Sequence, residues 1–321
     1  MGEKLFKTVV TVNTPVEWIG KLSTISEIII WPGKKEFLMP RDYLISILPE
    51  IDAIVNTADV KVDTEFLNYA SKLKIIVNAS IGYDNLDIEE LTRRKIWACN
   101  SPGFFTYPVA EYIIAGVLIL SRRFGEADRY VRQGKWTSFE PGRWDGRSLK
   151  EISIGIVGLG AVGNELMKLA ERFGMKVKYF DINNQTQPGF TNLDELLATC
   201  DFVSINVPLT KTTKHMVNHG FINKLKKDAV LVNTSRGSIV EQDVLIKALQ
   251  TGRIKGAILD VFEDEPQVPN GLKKLENVFL TPHIAGGTKS ARKQCMESAF
   301  LSVYDALTGK EPVNKLNNIN K

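Results

Sequence analysis

The sequence predicts an α/β protein of two domains built on parallel sheets, and three observations carry that prediction. Its 321 residues are too many for the usual single small core. Short β-branched segments alternate with stretches of helical apolar spacing along most of the chain, the pattern of parallel strands covered by helices. One strand, Ser153-Ile-Gly-Ile-Val157, runs directly into Gly158-Leu-Gly160-Ala-Val-Gly163, and a helical pattern follows.

In chain order, residues 8–12, 53–56 and 74–77 read as strands and residues 41–48 and 63–69 as helices, which gives a first α/β unit of about one hundred residues. Asn100-Ser-Pro-Gly103 has turn chemistry, and the long apolar-rich stretch 109–123 reads as a helix. Residues 134–146 contain three Gly, one Pro and two Trp with no sustained period, so they read as a structured loop. Its Trp136 and Trp144 are expected to contact a partner subunit or the rim of an active site. Strands follow at 153–157, 176–180, 202–206, 229–233, 256–260 and 278–280. Helices are expected at 162–173, before Gly174, and at 242–249, before Gly252. The chain shows no tandem repeat, and residues 316–321 read as a frayed tail.

Composition narrows the partners. The 41 Lys plus Arg against 37 Asp plus Glu leave a net charge of +4, and no long basic run accompanies it. Patches such as Lys34–Lys35 and Lys226–Lys227 read as solvated surface, so nucleic acid is not an expected partner. Cys99, Cys200 and Cys295 have neither disulfide-like nor metal-like spacing and read as reduced core residues. Met1-Gly-Glu-Lys-Leu-Phe-Lys7 lacks the apolar stretch of a signal peptide, and residues 112–120 are too few to cross a bilayer. A cytoplasmic protein with no membrane partner is the expectation.

The glycine turn is the strongest mechanistic motif, because it follows a strand and opens a helix. Gly158 permits the tight turn, Gly160 lets a pyrophosphate approach the backbone, and Gly163 allows close helix–strand packing, while the helix N-terminus supplies oriented amides. The bland alternative is a glycine-rich turn in some other α/β protein. Asp181 ends the next strand, where its carboxylate can accept hydrogen bonds from ribose hydroxyls and repel an added phosphate, which favours NAD over NADP. The following Ile182-Asn-Asn184 supplies no arginine to compensate, although Asp181 could instead simply cap a turn.

Only three histidines occur, so candidates for proton transfer near neutral pH are few. His283 lies in a turn-like segment directly after a strand and reads equally as an acid/base or as a packed residue. His215 and His219 are i,i+4 neighbours if helical. No nearby acid or cysteine set completes a metal site, so both read as structural or surface residues and no metal is expected.

With these features in view, the chain closely resembles the D-isomer-specific 2-hydroxyacid dehydrogenase family, in its glyoxylate/hydroxypyruvate reductase-like branch. The resemblance runs from Asn78-Ala-Ser-Ile-Gly-Tyr-Asp-Asn85 through the glycine turn to Leu231-Val-Asn-Thr-Ser-Arg-Gly237, Leu259-Asp-Val-Phe-Glu-Asp-Glu-Pro266 and Thr281-Pro-His-Ile284. It implies that Arg236 binds substrate, that His283 is the acid/base and that Glu265 is its carboxylate partner. Glu263, Asp264 and Glu265 are adjacent, and the Glu-Pro pair of the family motif selects Glu265. It further implies that Asp260 contacts the nicotinamide carboxamide, that Ala161, Val162, Pro208 and Thr234 complete the NAD contacts, and that Ser80, Ile81 and Gly82 offer backbone N–H groups to the substrate carboxylate.

The same resemblance implies a discontinuous, flavodoxin-like substrate-binding domain at 1–99 and 286–321 and a Rossmann-like NAD-binding domain at 100–285. A C-terminal helix at 290–307 returns to the first domain, the catalytic cleft lies between domains, and hinges fall near Asn100 and Ala285. Members commonly form homodimers through the cofactor domain, which suits the Trp136–Trp144 loop. The extra C-terminal regulatory module of some phosphoglycerate-oxidising relatives is not expected here. Glyoxylate or hydroxypyruvate is the expected small 2-keto acid, with lactate-, glycerate- and phosphoglycerate-type activities as alternatives. Specificity is expected to depend on residues 57–60, the surroundings of Ser80, and Trp136 or Trp144. An NAD-sensing interaction protein with the same fold is the reading from a different functional class. Arg236, Glu265 and His283 together argue for turnover.

Overall fold

A strand that is apolar on both faces must be covered on both faces, and that requirement organises both sheets of this protein. The computed structural model describes residues 5–34 and 36–319. Residues 1–4 of the N-terminal segment, Lys35 of the Lys34–Lys35 patch and residues 320–321 of the expected tail lie outside the described residues. The chain divides into two units, Met1–Phe105 with Thr288–Lys321, and Thr106–Gly287. Two α/β units on parallel sheets are the fold class that the sequence predicts.

The first unit contains β1 (Phe6–Val10), β2 (Ser26–Ile30), β3 (Ala53–Asn56), β4 (Ile75–Asn78) and β5 (Trp97–Cys99), ordered β2-β1-β3-β4-β5 with every pair parallel. Alternate residues divide between its faces. Val9, Ile54, Ile76 and Ala98 pack with Leu44, Leu48, Phe66 and Leu91. Val10, Val55, Ile75 and Val77 pack with Cys295, Ala299, Phe300 and Val303 of the helix Lys289–Leu307. Positions 295, 299 and 303 recur at the i,i+4 interval that keeps one helical stripe on the sheet.

Two strands of this sheet were not predicted, and one was displaced. The expected strand at 8–12 lies at Phe6–Val10, because Val12 leaves the ladder and bridges Leu38 in antiparallel fashion. β2 reads Ser-Glu-Ile-Ile-Ile, whose three β-branched residues carry a strand signal, whereas the three-residue β5 is too short to show a period.

The second unit contains β6 (Ser153–Val157), β7 (Lys176–Phe180), β8 (Phe202–Ile205), β9 (Val230–Asn233), β10 (Gly256–Leu259) and β11 (Val278–Leu280), ordered β11-β10-β9-β8-β6-β7 and all parallel. Val157, Val203, Leu231 and Leu259 face one buried cluster, while Ile156, Val232 and Ile258 face another shared with Ala110, Ile113 and Val117 of the helix Thr106–Ser121. The direction of winding reverses between β6 and β8, so a crevice is expected beyond their carboxyl ends.

The helix expected at 109–123 starts earlier, at Thr106, and stops at Ser121. Arg123 takes a left-handed conformation (φ 54°) that breaks it, and a further, unpredicted helix, Phe124–Arg132, follows. Trp144 and Trp136 differ in their surroundings. Trp144 carries intrachain contacts. It is half-buried against Tyr130, with ring centroids 5.3 Å apart, and the Arg123 guanidinium lies 4.9 Å from its ring, whereas Trp136 stays exposed. Cys99, Cys200 and Cys295 are buried and unpaired. No helix among the described residues is long and apolar enough to cross a membrane.

Candidate active site

The glycine turn lies where the winding reverses. Gly158 has φ +95°, a conformation that side chains rarely adopt, and a Cβ there would sit 2.9 Å from the Asn206 carbonyl oxygen beyond β8. A Cβ at Gly163 would meet the Gly158 carbonyl oxygen at 2.2 Å, so the first turn of the helix Ala161–Arg172 lies against the loop. Gly160 is exposed, and no side chain caps this helix at its N-terminus. Its first turn holds no acid, so the uncapped amides and their dipole suit a pyrophosphate. Ala161 is exposed and Val162 half-buried beside Gly160.

Asp181 follows β7 and takes the turn-capping role that the sequence allowed. Its Oδ2 accepts the Leu159 N–H at 2.7 Å, and its Oδ1 accepts the Asn183 and Asn184 N–H groups at 2.7 and 2.9 Å. Burial opposes the charge, yet these three backbone donors outweigh it and hold the carboxyl below its ordinary pKa. The carboxylate therefore closes its own turn and ties it to the glycine loop. It stays half-exposed, with lone-pair capacity left for hydroxyl donors.

Beyond β9, Ser235 N–H donates to Asn233 Oδ1 at 3.1 Å, and Asn233 Nδ2 donates to the Arg236 carbonyl at 2.9 Å. This closed turn presents the half-buried Arg236, whose Nη1 donates to the Ser235 carbonyl at 2.9 Å. Thr234 is half-buried in the same turn, and Pro208 is exposed beyond β8.

Asp260, fully buried after β10, anchors the histidine loop. Its Oδ1 accepts from Ile284 N–H at 2.8 Å and from the Thr281 hydroxyl, its Oδ2 accepts from Ala285 N–H at 2.7 Å, and its carbonyl accepts from His283 N–H at 2.9 Å. Tyr112 extends this chain through a hydroxyl contact with Thr281, and burial pushes the phenol up to about 12. Sequence reasoning missed Tyr112 because it sits in a helix read only for its apolar residues. In this anchoring role Asp260 acts as a strand-end cap.

His283 itself has φ +55°, an uncommon conformation fixed by these bonds. Its Nδ1 lies 2.8 Å from Glu265 Oε2, and Glu265 Oε1 accepts the Phe262 N–H at 3.0 Å. The hydrogen bond to Glu265 raises the His283 pKa above its ordinary value, against burial and the Arg236 charge. Burial opposes ionisation of Glu265, but His283, Phe262 N–H and Arg236 outweigh it and lower that pKa. The second unit thus brings Arg236, Glu265, His283 and Asp260 into one electrostatic group.

In the first unit, Ser80, Ile81 and Gly82 follow β4 in a turn whose carbonyls are all engaged. The Ser80 carbonyl accepts Ser101 N–H at 2.9 Å, the Ile81 carbonyl accepts Asn100 Nδ2 at 2.8 Å, and the Gly82 carbonyl accepts from Asn78 Nδ2 and Ser80 Oγ at 2.9 Å.

The other histidines do not share a helix. His215 has φ +52° in a turn and lies 2.6 Å from Glu263 through Nε2, whereas His219 begins the helix His219–Lys224. No group of three metal-ligating side chains occurs among the described residues.

A doubly wound parallel sheet with a glycine turn at its reversal point is the architecture of a dinucleotide-binding domain. The family model described as D-isomer specific 2-hydroxyacid dehydrogenase, NAD binding domain, matches residues 114–285. The glyoxylate reductase of Thermococcus litoralis is 40% identical over 322 residues, covering 97% of this chain and 96% of that protein. A crystal structure of a protein from Thermus thermophilus superposes with a TM-score of 0.90 at 31% identity, over 97% of this chain and 100% of that one. The NADPH-dependent glyoxylate/hydroxypyruvate reductase of Sinorhizobium meliloti, solved with NADP and malonate, gives a TM-score of 0.84 at 26% identity, over 98% and 97% of the two chains. The chain belongs to the D-isomer specific 2-hydroxyacid dehydrogenase family. It is an NAD-dependent oxidoreductase of small 2-keto or 2-hydroxy acids.

Proposed function

We propose that the protein reduces glyoxylate or hydroxypyruvate, with His283 as the acid, Glu265 as the carboxylate that orients it and Arg236 as the substrate-binding cation. The observation that carries this reading is the 2.8 Å contact between His283 Nδ1 and Glu265 Oε2. With Nδ1 engaged, Nε2 is the ring nitrogen that can give a proton to the substrate's C2 oxygen. NADH, when bound, would supply the hydride that C2 receives. Arg236 holds the carboxylate or polarises the C2 oxygen through its planar donors. Glu265 keeps the imidazole protonated to higher pH, which suits reduction, and the neutral imidazole serves the reverse oxidation.

The same proposal assigns the N–H groups of Ser80, Ile81 and Gly82 to the substrate carboxylate, because their carbonyls are tied back by hydrogen bonds. Gly158, Gly160, Ala161, Val162, Gly163, Asp181, Pro208, Thr234 and Asp260 are assigned to NAD. Exposed Phe124, Val131, Trp136 and Phe139 support a homodimer through this unit, and three unpaired buried cysteines agree with a cytoplasmic setting.

The test is a panel of glyoxylate, hydroxypyruvate, pyruvate, oxaloacetate and phosphohydroxypyruvate with NADH and NADPH. The highest kcat/KM is expected for glyoxylate or hydroxypyruvate with NADH, since Asp181 repels a ribose phosphate. Binding of NADH without turnover of any keto acid would refute an enzymatic role and leave a sensor. Equal efficiency with NADPH would remove Asp181 from its assignment.

A further inference from the structure

A second imidazole–carboxylate pair lies on the same turn as Glu265. His215 Nε2 is 2.6 Å from Glu263 Oε1, and the two side chains are 38% and 29% exposed, so the pair is accessible yet held. Backbone contacts fix His215 against the Arg236 turn. Its N–H donates to the Ser238 carbonyl at 2.9 Å, and Val217 bridges Val240 in parallel. The Arg236 turn in turn lies against the peptide before Glu263. A Cβ at Gly237 would be 1.9 Å from the Phe262 carbonyl carbon and 2.4 Å from Glu263 N, so the two segments touch through backbone.

That contact bears on Glu265 because Phe262 N–H is the donor that fixes Glu265 Oε1 while Oε2 faces His283. A shift of the 262–263 backbone would therefore redirect the carboxylate toward or away from the imidazole. Gly237 limits that shift by contact, and the His215–Glu263 bond limits it by attachment.

We propose that His215 and Glu263 form a clasp that positions the Glu265 turn, making His215 a positioning residue for proton transfer by His283. The clasp rests on the proposed role of His283. The charged groups facing His283 are Glu265, Arg236 and Asp260, and the group facing His215 is Glu263. A neutral imidazole can still donate its Nε2–H to Glu263, so the clasp does not require a charged His215. An accessible pair of this kind adds little to global stability, so its signature is kinetic.

The test is the pH profile of single-turnover NADH oxidation by keto acid in the full-length protein, with NADH affinity measured alongside. Releasing the clasp weakens the Glu265–His283 bond, so less protonated His283 survives at high pH. In His215→Ala and Glu263→Ala the falling limb of reduction should move by roughly half a pH unit toward lower pH. Rates well below that limb should stay within about twofold of the parent, because His283 is protonated there in either protein. His215→Gln and Glu263→Gln can each keep a hydrogen bond across the pair and should restore the parent limb. The double Ala variant should match the single ones. Where His215→Ala lowers the yield of folded protein, Glu263→Ala carries the test.

Two results would overturn the clasp: an unmoved limb in a folded Glu263→Ala variant, or a uniform loss of rate at every pH that the Gln variants do not reverse. His283→Ala in the same assay keeps the two readings apart. A normal rate there defeats the acid assignment, whereas an inactive His283→Ala beside an unmoved clasp limb defeats the clasp alone.

Discussion

The two ends of the six-stranded sheet each carry a carboxylate at the centre of a charged cluster, and the two carboxylates are used differently. At the amino end, Asp201 accepts the Ser153 N–H and hydroxyl at 2.9 Å, Arg147 at 3.0 Å and Lys226 at 2.6 Å, with its side chain 7% exposed. A carboxylate has about four acceptor sites, and these partners fill them. A cavity of about 170 Å³ lies there too, lined in part by Arg147, Asp201 and Lys255, but the carboxylate has nothing left to offer a ligand. At the carboxyl end, Glu265 accepts one backbone N–H and one imidazole, and that imidazole is 51% exposed with its second nitrogen directed away from Glu265. Both ends gather acidic and basic side chains. What separates them is whether a proton-carrying group still has an open valence, which is the physical mark of a site.

The comparison breaks first at His283. If the open valence is catalytic, His283→Ala should lower the single-turnover rate by about 10²–10⁴-fold with NADH binding and circular dichroism unchanged. A folded variant with a normal rate would make the carboxyl end as inert as the amino end. Arg236→Ala is expected to cost about 10²–10³-fold in kcat/KM, the scale of losing one directed donor to a developing oxyanion. Loss of cofactor affinity without loss of turnover at saturating NADH would move Arg236 away from the keto acid.

Legibility followed the same division. The second unit's strands are β-branched or aromatic runs bounded by turn residues, so the buried β6 and the edge strands β7 and β11 fall where the sequence puts them. Gly158 and Asp181 were legible because each follows a recognisable strand directly, whereas Asp260 was singled out by the family resemblance. The helix Phe124–Arg132 was not, since its break depends on one left-handed residue, Arg123, that no residue type announces. The pairing of His215 with Glu263 joins positions 48 apart in sequence, so neither spacing nor periodicity could reveal it. For the same reason Tyr112 gave no sign that its hydroxyl reaches Thr281 across 169 positions.

Asp201→Asn sharpens the comparison from the other end. Arg147 and Lys226 are accessible enough to regain water, so the expected loss is about 2 kcal/mol of stability at neutral pH, with kcat unchanged. Burial opposes the Asp201 charge, but Arg147, Lys226 and Ser153 outweigh it and hold the carboxyl well below its ordinary range. A lowered carboxyl stabilises the fold above the unfolded-state value of about 3.9 and loses that contribution as pH falls below it. The difference between parent and variant in urea midpoint should therefore be widest near neutrality and narrow below about pH 4. A constant difference across that range would mean the charge contributes nothing.

The smallest effect, and the one that separates orientation from charge, is expected from Glu265→Gln. The amide nearly preserves side-chain volume, and with its single oxygen turned toward His283 it can still accept from Nδ1–H and keep the imidazole oriented, while the bond from Phe262 N–H is given up. What disappears is the negative charge, which together with its hydrogen bond raises the His283 pKa against burial and the repulsion of Arg236. The folded-state pKa should drop toward or below the ordinary histidine value. Reduction needs the protonated ring and falls as pH rises through that pKa, so its limb should move to lower pH, by about one unit. Oxidation needs the neutral ring and rises through the same pKa, so its limb should move in the same direction. At pH values below both limbs, parent and variant should reduce keto acid at rates within a few-fold of each other, because the ring is protonated in both. A rate loss that persists there would mean that Glu265 serves mainly to hold the ring in place. An unmoved limb in both directions would mean that the carboxylate at this end, like Asp201 at the other, is part of the scaffold and no part of the chemistry.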